Sequence, residues 1–170
     1  MLFRSKGLVT GLDGKPGRLD ASNGATSCPN NPGTRSNATV SGVAVNNDIL
    51  SCYLRGGATL ATLAQDSGVT ESMLDPSVVN SPRFVWMPIV VATDRAQKEF
   101  QPILDFVPAF ITDETQSTAA TSTNGLEVNG NSIKVLRLFA FNKAALPPNE
   151  QAPETGYDTT IDSPVIHLIG

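Results

Sequence analysis

The sequence predicts a mainly β protein: a single antiparallel-sheet or sandwich-like domain with one short helix and long loops, with an α+β fold as the alternative. Two observations carry this prediction. Charged residues make up only 16% of the chain, while 14 Gly and 12 Pro supply turns. Apolar runs rich in β-branched and aromatic residues alternate with these turn-rich segments. A chain of 170 residues is long enough for one domain with a real core.

Residues 1–25 are predicted to form a flexible arm, and residues 26–170 the single β-rich domain. Residues 1–37, which include the arm, are rich in Gly, Asn, Ser and Pro and show almost no hydrophobic periodicity. Its few basic residues lie among Gly and Pro, as in solvated segments that do not fold on their own.

Two short elements are predicted next along the chain. Residues 39–45 are typical of a short strand, because Val and Thr dominate them. In residues 58–65 the side chains of Leu60, Leu63 and Ala64 have the i, i+3, i+4 spacing of one helical face. The sequence therefore predicts one short helix or two turns there.

Two longer strands are predicted at residues 83–91 and 103–112, which are rich in aromatic and β-branched residues. Pro88 cannot donate to a ladder, so the first strand is expected at a sheet edge or broken there. The aromatic side chains of both strands, Trp86 among them, are expected to pack in one layer. An alternative is that Trp86 lines a sugar-binding face, but a chain with so few aromatic residues needs them inside.

The C-terminal half predicts a hairpin and a final strand. The hairpin covers residues 126–135, where Asn129-Gly130 supplies the positive φ angles of a tight turn. The nearly continuous apolar character up to residue 141 indicates a central strand that is covered on both faces. Residues 165–169, Val-Ile-His-Leu-Ile, predict a last strand, which must be tied into a sheet to avoid exposure.

The two cysteines, Cys28 and Cys52, are predicted to form a disulfide, with two free buried thiols as the alternative. A zinc site would need about four Cys or His ligands, and the chain adds only His167. A persistent disulfide requires an oxidising compartment. The sequence shows neither a signal peptide nor a membrane-spanning stretch. We therefore expect a processed or truncated piece of an exported protein, the alternative being a cytosolic protein with reduced cysteines.

The sequence contains no catalytic or phosphate-binding motif, so it predicts no enzyme activity and no cofactor. The net charge of −4 disfavours nucleic acid as a partner. Asp105, Asp113 and Glu114 are the candidates for an acid–base pair in a hydrolase, and the last two for weak Ca²⁺ binding. The favoured interpretation is structural, with Asp105 on the polar face of its strand or paired with Arg83 or Lys98.

Several segments occur in an order that is found in a known family. They are Asn80-Ser-Pro-Arg-Phe-Val-Trp-Met-Pro, Asp105-Phe-Val-Pro-Ala-Phe-Ile-Thr-Asp-Glu, Asn124-Gly-Leu and Phe139-Ala-Phe-Asn-Lys-Ala-Ala-Leu-Pro, preceded by Cys28-Pro-Asn-Asn-Pro-Gly and Cys52-Tyr-Leu-Arg-Gly. Together they resemble the C-terminal ectodomain of actinobacterial TadE/TadG-like proteins, which are associated with the assembly of Flp (tight-adherence) pili.

The resemblance implies a non-catalytic structural or assembly component, minor-pilin-like, at the cell surface or secreted. Its partners would be other pilus or cell-surface protein subunits. Members of the family begin with a cytoplasmic tail and one membrane helix, which this sequence lacks, so membrane attachment would depend on an anchor outside it. Strand edges at Pro88, Val165 and Ile169 are the candidate sites for pairing with another chain. The alternative function is a secreted β-rich module that binds glycan or calcium.

Overall fold

A computed structural model describes residues 6–11, 13–22, 38–40, 42–90, 103–121, 124–129 and 132–148. Within these ranges the strands are β1 (Ala38–Val40), β2 (Val43–Val45), β3 (Phe84–Val90), β4 (Ile103–Ile111), β5 (Leu126–Asn129), β6 (Ser132–Leu136) and β7 (Leu138–Ala140), and the α-helix is α1 (Leu60–Leu63). Short 3-10 turns occur at Leu50–Tyr53, Glu71–Met73, Pro76–Asn80 and Lys143–Ala145, and a π-helical turn at Lys6–Thr10. None of the helices in these ranges is long and apolar enough to span a membrane.

The described strands form three antiparallel sheets: β1 with β2, β5 with β6, and a central sheet in the order β3-β4-β7. The prediction of a mainly β fold with a short helix is confirmed. Strands β3 and β4 match the predicted residues 83–91 and 103–112 to within one residue at each end. In the central sheet β3 lies at an edge, as Pro88 predicted.

The central sheet packs on both of its faces, because successive residues of β4 point to opposite sides. Phe110 and its cross-strand neighbours Phe84 and Phe139 pack in the main core, whereas Ile111 belongs to a second core. The rings of Phe110 and Tyr53 lie 5.8 Å apart in the main core. Burial of an aromatic side chain of this size stabilises the fold by about 2 kcal/mol.

The chain between β2 and β3 covers the main-core face with α1 and the 3-10 turns. Thr59 and Thr62 cap α1 reciprocally: each hydroxyl accepts a hydrogen bond from the other residue's backbone N–H, at 2.9 and 3.2 Å. Leu60 and Leu63 are the buried side of this helix. The predicted helix within residues 58–65 is thus present, although only one turn long.

The second core lies against the opposite face of the central sheet and includes residues from the N-terminal segment. Its buried members are Val9, Leu19, Val45, Ile111 and Leu126. Leu19 N donates to Leu8 O at 2.8 Å, and Asn46 N donates to Leu19 O at 2.7 Å. The described part of residues 1–25 is therefore folded, and the expectation of a flexible arm does not hold for it. Its isolated apolar side chains show no periodicity, yet they fill the space between the sheets.

The two small sheets are hairpins, and both differ in detail from the sequence prediction. Residues 39–45 were expected to form one strand, but Val40 pairs with Val43 around a turn in which Gly42 has a φ of +78°. In the other hairpin Asn129 pairs with Ser132, so Asn129 ends β5 rather than lying in the turn. Residues 130 and 131 lie outside the described residues.

The continuous apolar run before residue 141 does not form one central strand, contrary to the prediction. It is divided at Arg137 into β6 and β7, which belong to different sheets. Arg137 N donates to Gly125 O at 2.9 Å, while Arg137 O accepts from Thr112 N at 3.2 Å. These two hydrogen bonds fix Arg137 at the point where the chain passes from one sheet to the next. Leu136 and Leu138, on either side of it, are exposed rather than covered.

Candidate interaction surface

The carboxylates considered for catalysis are held apart by β4. Asp105 lies near the start of this strand, whereas Asp113 and Glu114 follow its other end. Ile111 lies six positions after Asp105, which corresponds to about 20 Å in an extended strand. Two-carboxylate hydrolysis needs a separation of roughly 5–9.5 Å. Asp105 therefore cannot form a catalytic pair with Asp113 or Glu114.

Glu114 is buried and binds the backbone of a neighbouring turn. Its Oε2 accepts hydrogen bonds from Leu50 N at 2.7 Å and from Thr112 Oγ1 at 3.0 Å. Its Oε1 accepts from Ser51 N at 3.2 Å. Both carboxylate oxygens thus satisfy donors that begin the turn Leu50–Tyr53, which is a structural role.

Neither Asp113 nor Asp105 has the properties of a general acid. Burial raises the pKa of Asp113, but hydrogen bonds from Thr121 Oγ1 and N outweigh it and leave the pKa below its usual value. The pKa of Asp105 is lowered by the N–H of Phe106 and then by Lys143. A general acid near neutral pH needs a raised pKa. Among the described residues no group of three or more acidic, His or Cys side chains could hold a metal ion.

Arg83 is the centre of a buried polar network that sequence reasoning missed. The side chain is fully buried, and among the described residues it donates to three backbone carbonyls: Nε to Asn46 O at 2.8 Å, and Nη1 to Ile111 O at 2.9 Å and to Asn124 O. These partners lie 28 to 41 residues away in the sequence. One guanidinium therefore joins three distant segments to the start of β3.

Asp48 and Asn124 extend this network. Asp48 Oδ2 accepts hydrogen bonds from Tyr53 Oη at 3.0 Å and Ser81 Oγ at 2.8 Å, and Asn124 Nδ2 donates to the Asp48 carbonyl. Asn124 and Gly125 both have positive φ, and a Cβ on Gly125 would lie 2.8 Å from neighbouring backbone. The Asn-Gly pair is the one local signal for this site, because it favours left-handed backbone.

Asp105 forms a surface ion pair rather than joining that network. Its Oδ2 lies 3.3 Å from Lys143 Nζ, and its Oδ1 accepts from Phe106 N at 2.7 Å. The expected pair with Arg83 is wrong, because that guanidinium is buried among carbonyl groups. Lys98, the other expected partner, lies outside the described residues.

The outer edge of β3, where Pro88 lies, is covered in part and lacks a donor. Ile111 N donates to Arg83 O, so the odd-numbered residues of β3 face β4 and the even-numbered residues face outward. On the outward side Arg18 Nη2 donates to Phe84 O at 2.5 Å, and Pro88 has no N–H. An added strand would find an interrupted ladder, which disfavours the expected strand pairing at Pro88.

The end of the β3–β4 hairpin exposes a group of aliphatic side chains that belong to neither core. Ile89, Val90 and Leu104 are 39%, 44% and 64% exposed. Ile89 pairs with Asp105 and Val90 with Ile103, so Leu104 is an extra residue at a bulge. We call Ile89, Val90 and Leu104 the apolar hairpin end. Because Ile89 and Val90 are consecutive in β3, these exposed side chains occupy both faces of the hairpin end. Exposed apolar residues that concentrate in one region mark interaction sites, whereas scattered ones do not.

One side of β4 has no neighbouring strand over half of its length in the described part of the chain. Strand β3 pairs with β4 from Ile103 to Phe110, but β7 pairs only with Ala109–Ile111. Pro108 explains where β7 ends: its carbonyl accepts from Phe141 N at 3.1 Å, but it has no N–H to donate in return. We call residues 103–107 on this side the open β4 edge.

A pocket of about 320 Å³ lies beside the open β4 edge. Its lining combines apolar and polar residues: Ala64, Phe106, Val107, Pro108, Ala140 and Phe141 with Gln65, Asp66, Asp105, Asn142 and Lys143. Asn142 Nδ2 donates to Gln65 O at 2.9 Å, which ties the end of α1 to the segment after β7. The pocket therefore has one wall formed by β4, and another in which a side-chain hydrogen bond joins two segments.

Trp86 packs against the main core and is half-buried. Its ring meets that of Phe84 edge-on, with centroids 5.6 Å apart. This contact favours core packing over the alternative of a sugar-binding face.

Cys28, Val165, His167 and Ile169 lie outside the described residues, so the disulfide and the terminal strand stay predictions. Cys52 lies in the main core and is only 3% exposed.

Comparisons with known proteins supply no relative: no family model, no curated protein and no solved structure matches this chain. The TadE/TadG-like resemblance is neither supported nor opposed by them.

Proposed function

We propose that this domain is a non-catalytic, extracytoplasmic component that binds other protein subunits at the cell surface, as the resemblance to TadE/TadG-like pilus-assembly proteins implies. The contact site is the apolar hairpin end. Its partner is a pilus or cell-surface subunit with a complementary apolar surface. The site carries no catalytic role and needs no cofactor.

The observation that carries the proposal is the exposure of Ile89, Val90 and Leu104 at adjacent positions of one hairpin. An aliphatic side chain that is 64% exposed, as Leu104 is, gains little transfer free energy from this position in the isolated domain. It gains free energy when a partner removes it from water. Ile89 and Val90 are consecutive in β3, so the hairpin end offers exposed apolar side chains on both of its faces. The hairpin is also paired along its length, so it presents these side chains on a preformed element, which lowers the entropic cost of binding.

The state of the carboxylates supports a role without catalysis. Glu114 and Asp113 are occupied by hydrogen bonds that hold backbone and loop in place. Asp105 is engaged by Phe106 N and Lys143. Protein–protein assembly requires none of these groups to exchange protons.

Replacing Leu104 with Asp in the source bacterium is expected to lower the amount of assembled surface pili by about tenfold, because a charge is placed in the proposed apolar contact. The purified variant should keep its stability to within about 0.5 kcal/mol, since Leu104 is exposed. Pili sheared from the cells would be quantified against the cellular level of the protein.

The matched control is Leu136→Asp, since Leu136 is 40% exposed but lies on β6, away from the hairpin end. This variant should assemble normally. If the Leu104→Asp protein is stable and pili assemble normally, the hairpin end is not the contact site. Normal pili after deletion of the gene would remove the pilus role itself.

The extracytoplasmic location rests on a disulfide between Cys28 and Cys52. No cysteine among the described residues is a free thiol, and Cys52 lies in the main core. In an oxidising compartment such a bond persists, and closing a loop of this length contributes about 3 kcal/mol.

Alkylation of the native protein tests this bond. After denaturation without reductant, neither Cys28 nor Cys52 should react with iodoacetamide, and both should react after reduction. Cys28→Ala should lower the free energy of unfolding by about 3 kcal/mol, and reduction of the wild-type protein should cost the same. Reaction of both thiols before reduction would place the protein in a reducing compartment and remove this support.

A further inference from the structure

A hydroxyl, a carboxylate and a carboxamide meet in the interior where β4 ends. Thr112 directly follows β4, and its Oγ1 lies 3.0 Å from Glu114 Oε2 and 2.9 Å from Asn124 Oδ1. These residues are only 1%, 4% and 1% exposed. A hydroxyl within hydrogen-bond distance of a carboxylate can be activated as a nucleophile, and a carboxamide carbon is an electrophile. The three side chains, which we call the Thr–Glu–Asn cluster, are therefore the components of an acyl-transfer reaction.

Hydrogen bonds to the backbone hold each member of the cluster in place. Thr112 N donates to Arg137 O at 3.2 Å, and two backbone amides of the turn Leu50–Tyr53 donate to Glu114. Asn124 Nδ2 donates to the Asp48 carbonyl, which directs Oδ1 towards Thr112. The contacts that give Glu114 its structural role thus also keep its carboxylate beside the hydroxyl.

The carboxamide carbon of Asn124 is close to the hydroxyl oxygen of Thr112. Because a C=O bond is about 1.2 Å long, this carbon lies within about 4.1 Å of Thr112 Oγ1. Attack on a carbonyl carbon begins from a separation of roughly 3–3.5 Å. Only a small movement inside the folded domain therefore separates the observed arrangement from a reactive one.

The usual competing nucleophile at an Asn-Gly pair is restrained. In such a pair the backbone nitrogen of the glycine can attack the asparagine carboxamide to form a succinimide. Here the N–H of Gly125 hydrogen-bonds to the Asp113 carboxylate, which disfavours that attack. The Thr112 hydroxyl is left as the better placed nucleophile.

We propose that Thr112 and Asn124 form an intramolecular ester, with Glu114 as the general base. Thr112 Oγ1 attacks Cγ of Asn124 while Glu114 accepts the hydroxyl proton. The Oγ1–Cγ bond forms, the Cγ–Nδ2 bond breaks, and Glu114 passes the proton to the departing nitrogen, which leaves as ammonia. The step needs no oxidant and no second substrate, and burial of the cluster keeps water from hydrolysing the ester.

The product is a covalent link between the end of β4 and the residue pair that precedes β5. It is a single self-modification of the folded chain, without turnover of a substrate. The inference is independent of the proposed function, because it concerns a buried cluster and not the apolar hairpin end.

The experiment is the intact mass of the full chain after reduction, measured on fresh protein and after several days at neutral pH. The wild-type protein should be lighter than its sequence by one ammonia molecule. Denaturation and glutamate-specific digestion at mildly acidic pH, where esters persist, should then release residues 100–114 and 115–127 as one linked species. Tandem mass spectrometry of that species should locate the link at Thr112 and Asn124. A succinimide at Asn124 has the same mass but leaves two separate peptides.

Three variants assign the roles. Thr112→Val lacks the hydroxyl and should keep the full mass, whereas Thr112→Ser retains a hydroxyl and should still lose ammonia. Glu114→Gln cannot accept the proton, so it should react at least about a hundredfold more slowly than wild type. Cooperative thermal unfolding of each variant shows that the domain is folded.

The proposal is wrong if wild-type protein keeps its full mass at both times, or if the two peptides separate on digestion. Loss of ammonia from Thr112→Val would equally exclude Thr112 as the nucleophile. An unchanged rate in folded Glu114→Gln protein would exclude Glu114 as the base. None of these measurements involves pilus assembly, so their outcome is separate from that of the Leu104 test.

Discussion

Replacing Arg83 with Ala is expected to lower the free energy of unfolding by about 4 kcal/mol or more. The guanidinium is fully buried, and its removal leaves the carbonyls of Asn46, Ile111 and Asn124 without this donor. Each buried acceptor that loses a charged donor costs roughly 1–3 kcal/mol, and the deleted side chain adds a cavity. The total free energy of unfolding of natural domains is only about 5–15 kcal/mol, so the variant should be close to unfolding.

Urea unfolding monitored by Trp86 fluorescence would measure this loss. Arg83→Lys should fall between wild type and Arg83→Ala, because one ammonium cannot reproduce the forked geometry of the guanidinium. Arg137→Ala is the control, since that side chain is half exposed and pairs with Glu127 at 3.1 Å on the surface. It should cost less than about 1 kcal/mol. An Arg83→Ala protein as stable as Arg137→Ala would show that the buried network contributes little.

Replacing Phe110 with Ala is expected to lower the free energy of unfolding by about 3–5 kcal/mol. Phe110 is fully buried on the inner strand of the central sheet, opposite Phe84 and against Tyr53. The ring contributes both transfer free energy and packing contacts, and the surrounding β-sheet cannot collapse to fill the space.

Thermal and urea unfolding of three variants would test this expectation. Phe110→Leu retains most of the volume and should cost less than about 1.5 kcal/mol. Leu138→Ala, on the neighbouring strand but 37% exposed, should cost less than about 1 kcal/mol. If Phe110→Ala cost no more than Leu138→Ala, the face of the sheet assigned to the main core would be incorrect.

The predicted parts of the fold are those that local chemistry determines. The strands around Trp86 and Phe106 follow from runs of aromatic and β-branched residues, and the edge position of β3 follows from the missing N–H of Pro88. The break at Arg137 has no local signal, since no Gly or Pro interrupts the apolar run. It depends on hydrogen bonds to Gly125 and Thr112, which belong to other segments.

The candidate site shows the same division. That the Phe-rich strands form a hairpin could be predicted, but which of its side chains stay outside both cores could not, because Leu104 has the same character as buried leucines. Burial of Arg83 was missed because its partners are carbonyl groups, which any residue provides. The packing of the N-terminal segment was missed because Val9 and Leu19 are single apolar residues in a polar context.

Strand β4 contributes side chains to both cores, and this affects how the domain unfolds. Phe110 belongs to one core and the adjacent Ile111 to the other, so losing this strand exposes both at once. Neither core can therefore unfold through loss of β4 while the other core stays intact. Calorimetry should therefore show a single heat-absorption peak whose van't Hoff and calorimetric enthalpies agree, even though the cores draw on distant parts of the chain.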